Sequence, residues 1–325
     1  MKLSVITLII IAYLTSGHYV TYAGVSDFFP PATTYNYAVI NGHKIFYREA
    51  GDKAKPTIVL LHGYPSSSHT YRNLIPILAQ KYHVIAPDNL GSGYSDHVSP
   101  DSITYTFDML ADCNLKLLET LGVKNYIMYM QDFGAPVGYR LIMKEPARLK
   151  ALIVQNANTY MEGLTLKRQE FFKNAHEDKT PQNIARLFNN SSKEAIVTNQ
   201  YLFDIDTSKR NIMSPDAWTH DLHFLEDSNS RRIQVQLFQD YYNNLLLYPT
   251  WQKMLKQNQP KTLIVWGARD VKFLPEGANA YLRDLPDAEL HLLDAGHFAA
   301  EEKTSEIAGL ILKFLEKQHL SKNTE

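Results

Sequence analysis

Residues 125–134 read Asn125-Tyr126-Ile127-Met128-Tyr129-Met130-Gln131-Asp132-Phe133-Gly134. Tyr126 to Met130 is apolar on both faces and too short for a helix. A run of that kind is a strand buried on both sides, as strands of parallel sheets are. It stops at a carboxylate, Asp132, and past Phe133 the residues Gly134 and Ala135 are small. From Ala135 to Lys144 the apolar period becomes that of an amphipathic helix. The stretch therefore reads as strand, tight turn and helix, with Asp132 held out at the turn. An Asp there also suits a plain helix N-cap, so its meaning depends on what the rest of the chain brings beside it.

The same grammar repeats outward. Thr57 to Leu61 is an apolar run ending in His62-Gly63, and His83 to Ala86 ends in Pro87-Asp88. Leu149 to Val154 ends near Asn156, Thr262 to Trp266 in Gly267, and Glu289 to Leu293 in Asp294-Ala295-Gly296-His297. Amphipathic helical periods lie between them at 70–80, 102–121, 277–285 and 302–317. At the N-terminal side, Tyr35 to Ala50 reads as two strands joined by Asn41-Gly42, a strong hairpin signal. Strand alternating with helix implies an α/β fold with a doubly wound, mostly parallel sheet. One region breaks the pattern. From Thr159 to Trp251 no strand-like run occurs, and helices are expected at 166–175, 181–187, 192–203, 215–225 and 231–246. We read this as a helical cap over the C-terminal edge of the sheet, where open α/β folds bind ligands. The expected organisation is a signal peptide at 1–23, a first core part at 24–158, the cap at 159–250 and a second core part at 251–325.

Composition narrows the function. The chain has 325 residues, 45% hydrophobic and 21% charged, the profile of a compact globular protein. Lys and Arg number 33 against 34 Asp and Glu, with no basic stripe, so no nucleic-acid partner is expected. The single cysteine, Cys113, excludes a disulfide framework within the chain and a multi-cysteine metal site. It falls in a helical stretch and reads as a buried, inert thiol. Residues 1–23, MKLSVITLIIIAYLTSGHYVTYA, have one Lys, an apolar run from Leu3 to Leu14 and small residues near Ala23. That is the layout of a secretory signal peptide, and the run is short for a membrane span. The expected location is secreted or periplasmic, with no membrane association after cleavage. An uncleaved anchor is the alternative.

Three ionisable residues close three strands: Asp132, Asp270 after Thr262 to Trp266, and His297 after Glu289 to Leu293. Strand ends on one edge of a parallel sheet converge, and nucleophile, acid, base is the chain order of α/β-hydrolases. The supporting motifs are His62-Gly63-Tyr64-Pro65, the turn from Asp88 to Asp96, Met130-Gln131-Asp132-Phe133-Gly134, Trp266-Gly267-Ala268-Arg269-Asp270 and Gly296-His297-Phe298. On these, the chain from about Tyr35 to Leu315 resembles the α/β-hydrolase superfamily, in the Asp-nucleophile branch that holds epoxide hydrolases and haloalkane and haloacid dehalogenases. The resemblance implies an α/β-hydrolase fold and backbone oxyanion donors at Tyr64 and Phe133. It also implies a structural role for His62 and a packing turn at Asp88–Asp96.

The residue type at position 132 sets the chemistry. A carboxylate attacks an acyl carbon poorly but suits displacement at a saturated carbon, giving an ester. His297 then activates water against that ester, oriented by Asp270. The rival acid position, after Leu149 to Val154, holds Gln155-Asn156-Ala157-Asn158 and no carboxylate before Glu162, which leaves Asp270. By resemblance, Trp after the nucleophile and Asn in the His-Gly motif would mark a haloalkane dehalogenase, and Arg after the nucleophile a fluoroacetate dehalogenase. Those positions hold Phe133 and Tyr64, which epoxide hydrolases tolerate. Epoxide opening needs a proton donor from the cap. Tyr241, 29 residues before Asp270, is the expected one, with Tyr201 or His176 as a second. The expected activity is thus an epoxide hydrolase acting on a small apolar molecule without cofactor or metal. A haloalkane or haloacid dehalogenase is the alternative, and a non-catalytic hydrolase-fold binding protein a third reading. A homodimer is left open.

Overall fold

The computed structural model describes residues 30–320. The signal peptide expected at 1–23 lies outside the described residues. Eight strands form one sheet: β1 (Thr34–Ile40), β2 (His43–Ala50), β3 (Thr57–Leu61), β4 (His83–Pro87), β5 (Tyr126–Gln131), β6 (Leu149–Gln155), β7 (Thr262–Gly267) and β8 (Glu289–Leu293). Their spatial order is β1-β2-β4-β3-β5-β6-β7-β8. The β1–β2 hairpin turns at Asn41 and Gly42, both at positive φ, as the Asn-Gly pair predicts. β1 to β2 and β2 to β4 pair antiparallel, and β4 onward is parallel. This is the α/β-hydrolase fold.

Alternation along the buried strands builds two cores, one on each face of the sheet. Val59, Leu61, Met128, Met130, Leu152 and Val154 point into one, with the helices Phe107–Thr120 and Gly134–Lys144 over them. Ile58, Leu60, Ile127, Tyr129, Ala151 and Ile153 point into the other, under Leu74–Leu78 and Thr304–Lys317. Helices on both faces leave only the strand ends open, and the C-terminal ends of β5, β7 and β8 carry the candidate residues.

Between β6 and β7 there is no strand. Each of the helices Leu166–Glu177, Pro181–Asn189, Lys193–Ile196, Pro215–Leu225 and Ser228–Asn258 begins on a side chain that accepts a backbone N–H, respectively Thr165, Thr180, Ser192, Ser214 and Asp227. The helix expected at 231–246 is longer than the pattern suggests. It runs 31 residues, through Pro249 and across residue 250. Its far end is held by the core rather than by its own period: Trp251 stacks on Tyr139 at 5.0 Å and lies under the Arg140 guanidinium at 5.5 Å. Tertiary packing of this kind outweighs the local cost of the proline. Among the described residues no helix is long and apolar enough to cross a membrane.

Candidate active site

Asp132 sits in the turn between β5 and the helix Gly134–Lys144 with φ +49°. A non-glycine residue there costs of order 1–3 kcal/mol and persists only where its surroundings impose it. Those surroundings are tight. A Cβ on Gly134 would lie 2.3 Å from the Leu61 carbonyl oxygen, and one on Gly63 would lie 2.3 Å from the Asp132 Cβ. The two glycines let the turn press against the β3 loop, and this brings the Tyr64 N–H to Asp132 Oδ1 at 2.6 Å. The other oxygen, Oδ2, faces His297 Nε2 at 3.5 Å. His297 Nδ1 meets Asp270 Oδ2 at 2.8 Å. All three residues are buried, none more than 6% exposed.

The line is braced from behind. Asp270 Oδ1 accepts the backbone N–H groups of Lys272 and Phe273 at 2.7 and 3.0 Å. Its Oδ2 also accepts from Asn156 Nδ2 at 2.7 Å. Asn156 follows β6 at φ +45°, and its own carbonyl takes the Asp132 N–H. It therefore touches both ends of the line. From the helical insertion, Asp204 Oδ2 accepts the His297 backbone N–H at 2.8 Å. Burial works against a charge on His297, but the carboxylates of Asp270 and Asp132 outweigh it and raise the imidazole to about 10.

His62 plays no part in this line. Its Nε2 accepts the Asn89 N–H, its Nδ1 bonds the Gly63 carbonyl, and burial lowers its pKa. Asp88 is equally occupied by the N–H groups of Ser68 and Tyr94. Both fit the structural roles read from the sequence.

Above Asp132 and His297 lies a cavity of about 140 Å³. Phe133, Phe171, Phe172, Phe238 and Phe273 make its aromatic wall, and Tyr64, Asn190, Asn199 and Gln200 add polar groups. Two cations complete it, Arg168 from the helix Leu166–Glu177 and Lys272. Lys272 Nζ donates to the Asn199 carbonyl. Burial, then the Arg168 charge, lowers it to about 8.

The residues expected as proton donors stand elsewhere. Tyr241 is fully buried beside the cavity but does not line it. Its ring stacks on Phe172 at 3.9 Å and packs against Phe133 at 5.1 Å. The hydroxyl makes no hydrogen bond of normal geometry. Burial, with the Tyr248 phenol and the Asp132 charge nearby, holds it well above the usual phenol range. Tyr201 is not brought to the cavity, because its hydroxyl donates to Asp221 Oδ2 at 2.5 Å and its ring stacks on Phe298 at 4.1 Å. Nor is His176, whose Nδ1 is bonded to the Gln239 carbonyl at 2.9 Å.

Sequence reasoning passed over Asn156, Arg168 and Lys272. Asn156 had a signal, because it occupies the strand end where a rival acid was sought. Lys272 stands two residues past Asp270. Arg168 had none, as one basic residue in a polar helix. Among the described residues no group of three or more His, Cys, Asp or Glu is placed to hold a metal ion.

A mostly parallel sheet with its strand-end carboxylates and histidine in one line defines a hydrolase of the α/β-hydrolase fold. The family described as alpha/beta hydrolase fold matches residues 56–304, and the chain belongs to it. A relative from Saccharomyces cerevisiae, named an uncharacterized hydrolase, is 38% identical over 278 residues, covering 84% of this chain and 94% of its own. The crystal structure of haloalkane dehalogenase DbeA from Bradyrhizobium elkani superposes with a TM-score of 0.75 at 20% identity, covering 90% of this chain and all of the other. The epoxide hydrolase CorEH superposes with a TM-score of 0.69 at 20% identity, over 88% of this chain and 99% of the other.

Proposed function

We propose that this hydrolase works through an ester on Asp132 and that its substrate is a small epoxide. The observation that carries the reading is the unequal treatment of the two Asp132 oxygens. Oδ1 is held by the Tyr64 amide, while Oδ2 is turned toward His297 at the cavity floor. In the first step Oδ2 attacks a ring carbon, the C–O bond breaks and the alkoxide takes a proton. Asp132 thereby loses its negative charge. His297 then feels Asp270 alone, its pKa falls, and it gives up its proton, so the neutral imidazole becomes available as the base. It removes a proton from water, the hydroxide adds to Asp132 Cγ, and Oδ1 becomes the oxyanion. The Tyr64 N–H already points at that oxygen, and Phe133 is the second donor by position. Donors of this kind are worth about 10²–10³-fold each. Collapse breaks the Cγ–Oδ2 bond, His297 returns its proton to the departing alkoxide as the diol leaves, and the new Asp132 carboxyl gives its proton back to the ring-opening acid, which restores both.

Tyr241 is the proposed proton source. Its hydroxyl is fully buried with the Tyr248 phenol beside it and makes no hydrogen bond of normal geometry, and in this reading it donates to a ligand oxygen. Since Tyr241 does not line the cavity, Phe172, stacked on it, turns aside in this reading when substrate enters. The same observation favours a second reading: a halide leaving group needs no proton, so halide displacement uses the site as it stands. Apolar cavities of about 150 Å³ hold benzene elsewhere, which sets the scale of either substrate.

A single turnover in water enriched in ¹⁸O, with enzyme in excess, tests the reading. The first product molecule should carry an unlabelled oxygen from Asp132, and the label should appear in the Asp132 carboxyl group. Direct incorporation of solvent oxygen into the first product would refute the ester.

A further inference from the structure

Of the charged side chains lining the cavity, one is acidic, Asp132, and three are basic, Arg168, Lys272 and His297. His297 is matched by Asp132 and Asp270. Arg168 feels the Asp132 and Asp270 charges only at a distance. Among the described residues no carboxylate lies within 4.0 Å of its guanidinium. Its Nε is inaccessible and makes no hydrogen bond. What holds it is aromatic: the guanidinium carbon sits 5.6 Å from the Phe171 ring centre and 5.3 Å from that of Phe172. Such contacts fix the position of a cation but leave its N–H donors unspent. The side chain is half-buried, with its Nε shut off from solvent, and a guanidinium so placed is ordinarily paired. Lys272 lies on the same cavity, two residues from Asp270. The aromatic wall suits a short carbon skeleton, and the two cations suit an anionic end.

We infer that the substrate carries a carboxylate and that Arg168, assisted by Lys272, anchors it while Asp132 attacks the neighbouring saturated carbon. The inference rests on the Asp132 ester reading for the reaction and on Arg168 alone for the substrate class. A planar guanidinium matches a carboxylate with two parallel N–H donors, and this fixes which carbon lies over Oδ2. An epoxide beside a carboxylate and a 2-halo acid share this chemistry. The anchor comes from the helical insertion, so selectivity is set by a different part of the chain from the reacting carboxylate.

Two measurements test it, and they fail independently. The first uses inert probes, butyrate and butyramide, titrated calorimetrically into the full-length protein. Butyrate should bind at least about tenfold more tightly, the low end for a hydrogen bond to a charged group. Arg168→Gln should bring the two affinities together, and Arg168→Lys should restore part of the difference. Equal affinities in the wild type, or a preference that survives Arg168→Gln, would overturn the anchor. The second compares kcat/KM on a short 2,3-epoxy acid and on its amide. The wild-type ratio should favour the acid, and Arg168→Gln should collapse it mainly through KM. If Arg168→Gln slows both equally through kcat, the guanidinium serves the leaving group and the anchor is refuted. If butyrate binds selectively but neither epoxide is opened, the anchor stands and the epoxide reading fails.

Discussion

On the sheet side of the cavity almost every polar atom is accounted for. Asp132 Oδ1 is held by the Tyr64 amide. Asp270 is held by Asn156, His297 and two backbone amides, and the His297 backbone by Asp204. On the cap side the Arg168 guanidinium and the Tyr241 ring are held by packing against phenylalanines, and neither the Arg168 Nε nor the Tyr241 hydroxyl makes a hydrogen bond of normal geometry. The contrast separates two jobs. A site that moves protons between fixed partners needs its geometry set in advance, and strand ends set it. A site that receives a molecule needs donors left unpaired until the molecule arrives, and a helical insertion can present them without disturbing the sheet.

Breaking the sheet side should cost most. Asp132→Ser is expected to remove activity by about 10⁴-fold or more, the scale of losing a covalent nucleophile. It should not create an esterase, because in the proposed mechanism the site serves attack at saturated carbon. Hydrolysis of nitrophenyl esters measured before and after the change decides this. Strong ester hydrolysis that survives it would place the chemistry elsewhere.

Asp270→Asn keeps the shape and removes the charge behind His297. A loss of roughly 10³–10⁴-fold is expected, as for a histidine deprived of its orienting carboxylate. The His297 pKa should fall at the same time, read by NMR of the imidazole. A stability consequence follows with a definite sign. His297 is raised to about 10 in the folded protein, against about 6.5 unfolded. Its contribution is complete below about pH 6.5 and is lost as pH rises through about 10. Urea unfolding across that range should show less alkaline loss in Asp270→Asn than in the wild type.

The sheet side was also the legible side. Apolar runs on both faces identify buried strands, and strand ends on one edge must converge. Asp132, Asp270 and His297 could therefore be grouped before any coordinate was known. Asn156 escaped because a carboxylate was sought at that strand end, and the amide there supports the acid instead of replacing it. The cap resisted for a physical reason. Its helices carry mixed polar faces whose rotation is set by packing, so the sequence does not say which polar side chain enters the cavity. Tyr201 and His176 were plausible by spacing and are tied to Asp221 and to the Gln239 carbonyl. Arg168 looks like any surface arginine. Pro249, which ends a helix by local rules, lies inside one because Trp251 packs on Tyr139 beyond it.

Smaller effects sharpen the comparison from the cap side. Tyr241→Phe keeps the ring against Phe172 and removes the proton. It should slow ester formation on an epoxide by about 10²-fold, the low end for general acid catalysis, and slow it less on the matching bromide. Equal slowing on both would remove Tyr241 as the acid. Asn156→Ala should lower kcat by about tenfold, the value of one charge-assisted hydrogen bond, with KM little changed. A compensating rise in KM would instead point to a distorted cavity.

The most direct measurement is the intact mass of a His297→Gln variant after incubation with small epoxides and bromides, carboxylate-bearing and neutral. Without the base, the ester should form and persist. The account predicts a stoichiometric adduct equal to one substrate, less bromide where a bromide was used, on the peptide that contains Asp132. It predicts the adduct to be fastest with the carboxylate-bearing compounds. No adduct with any of them, or one on a peptide without Asp132, would contradict it.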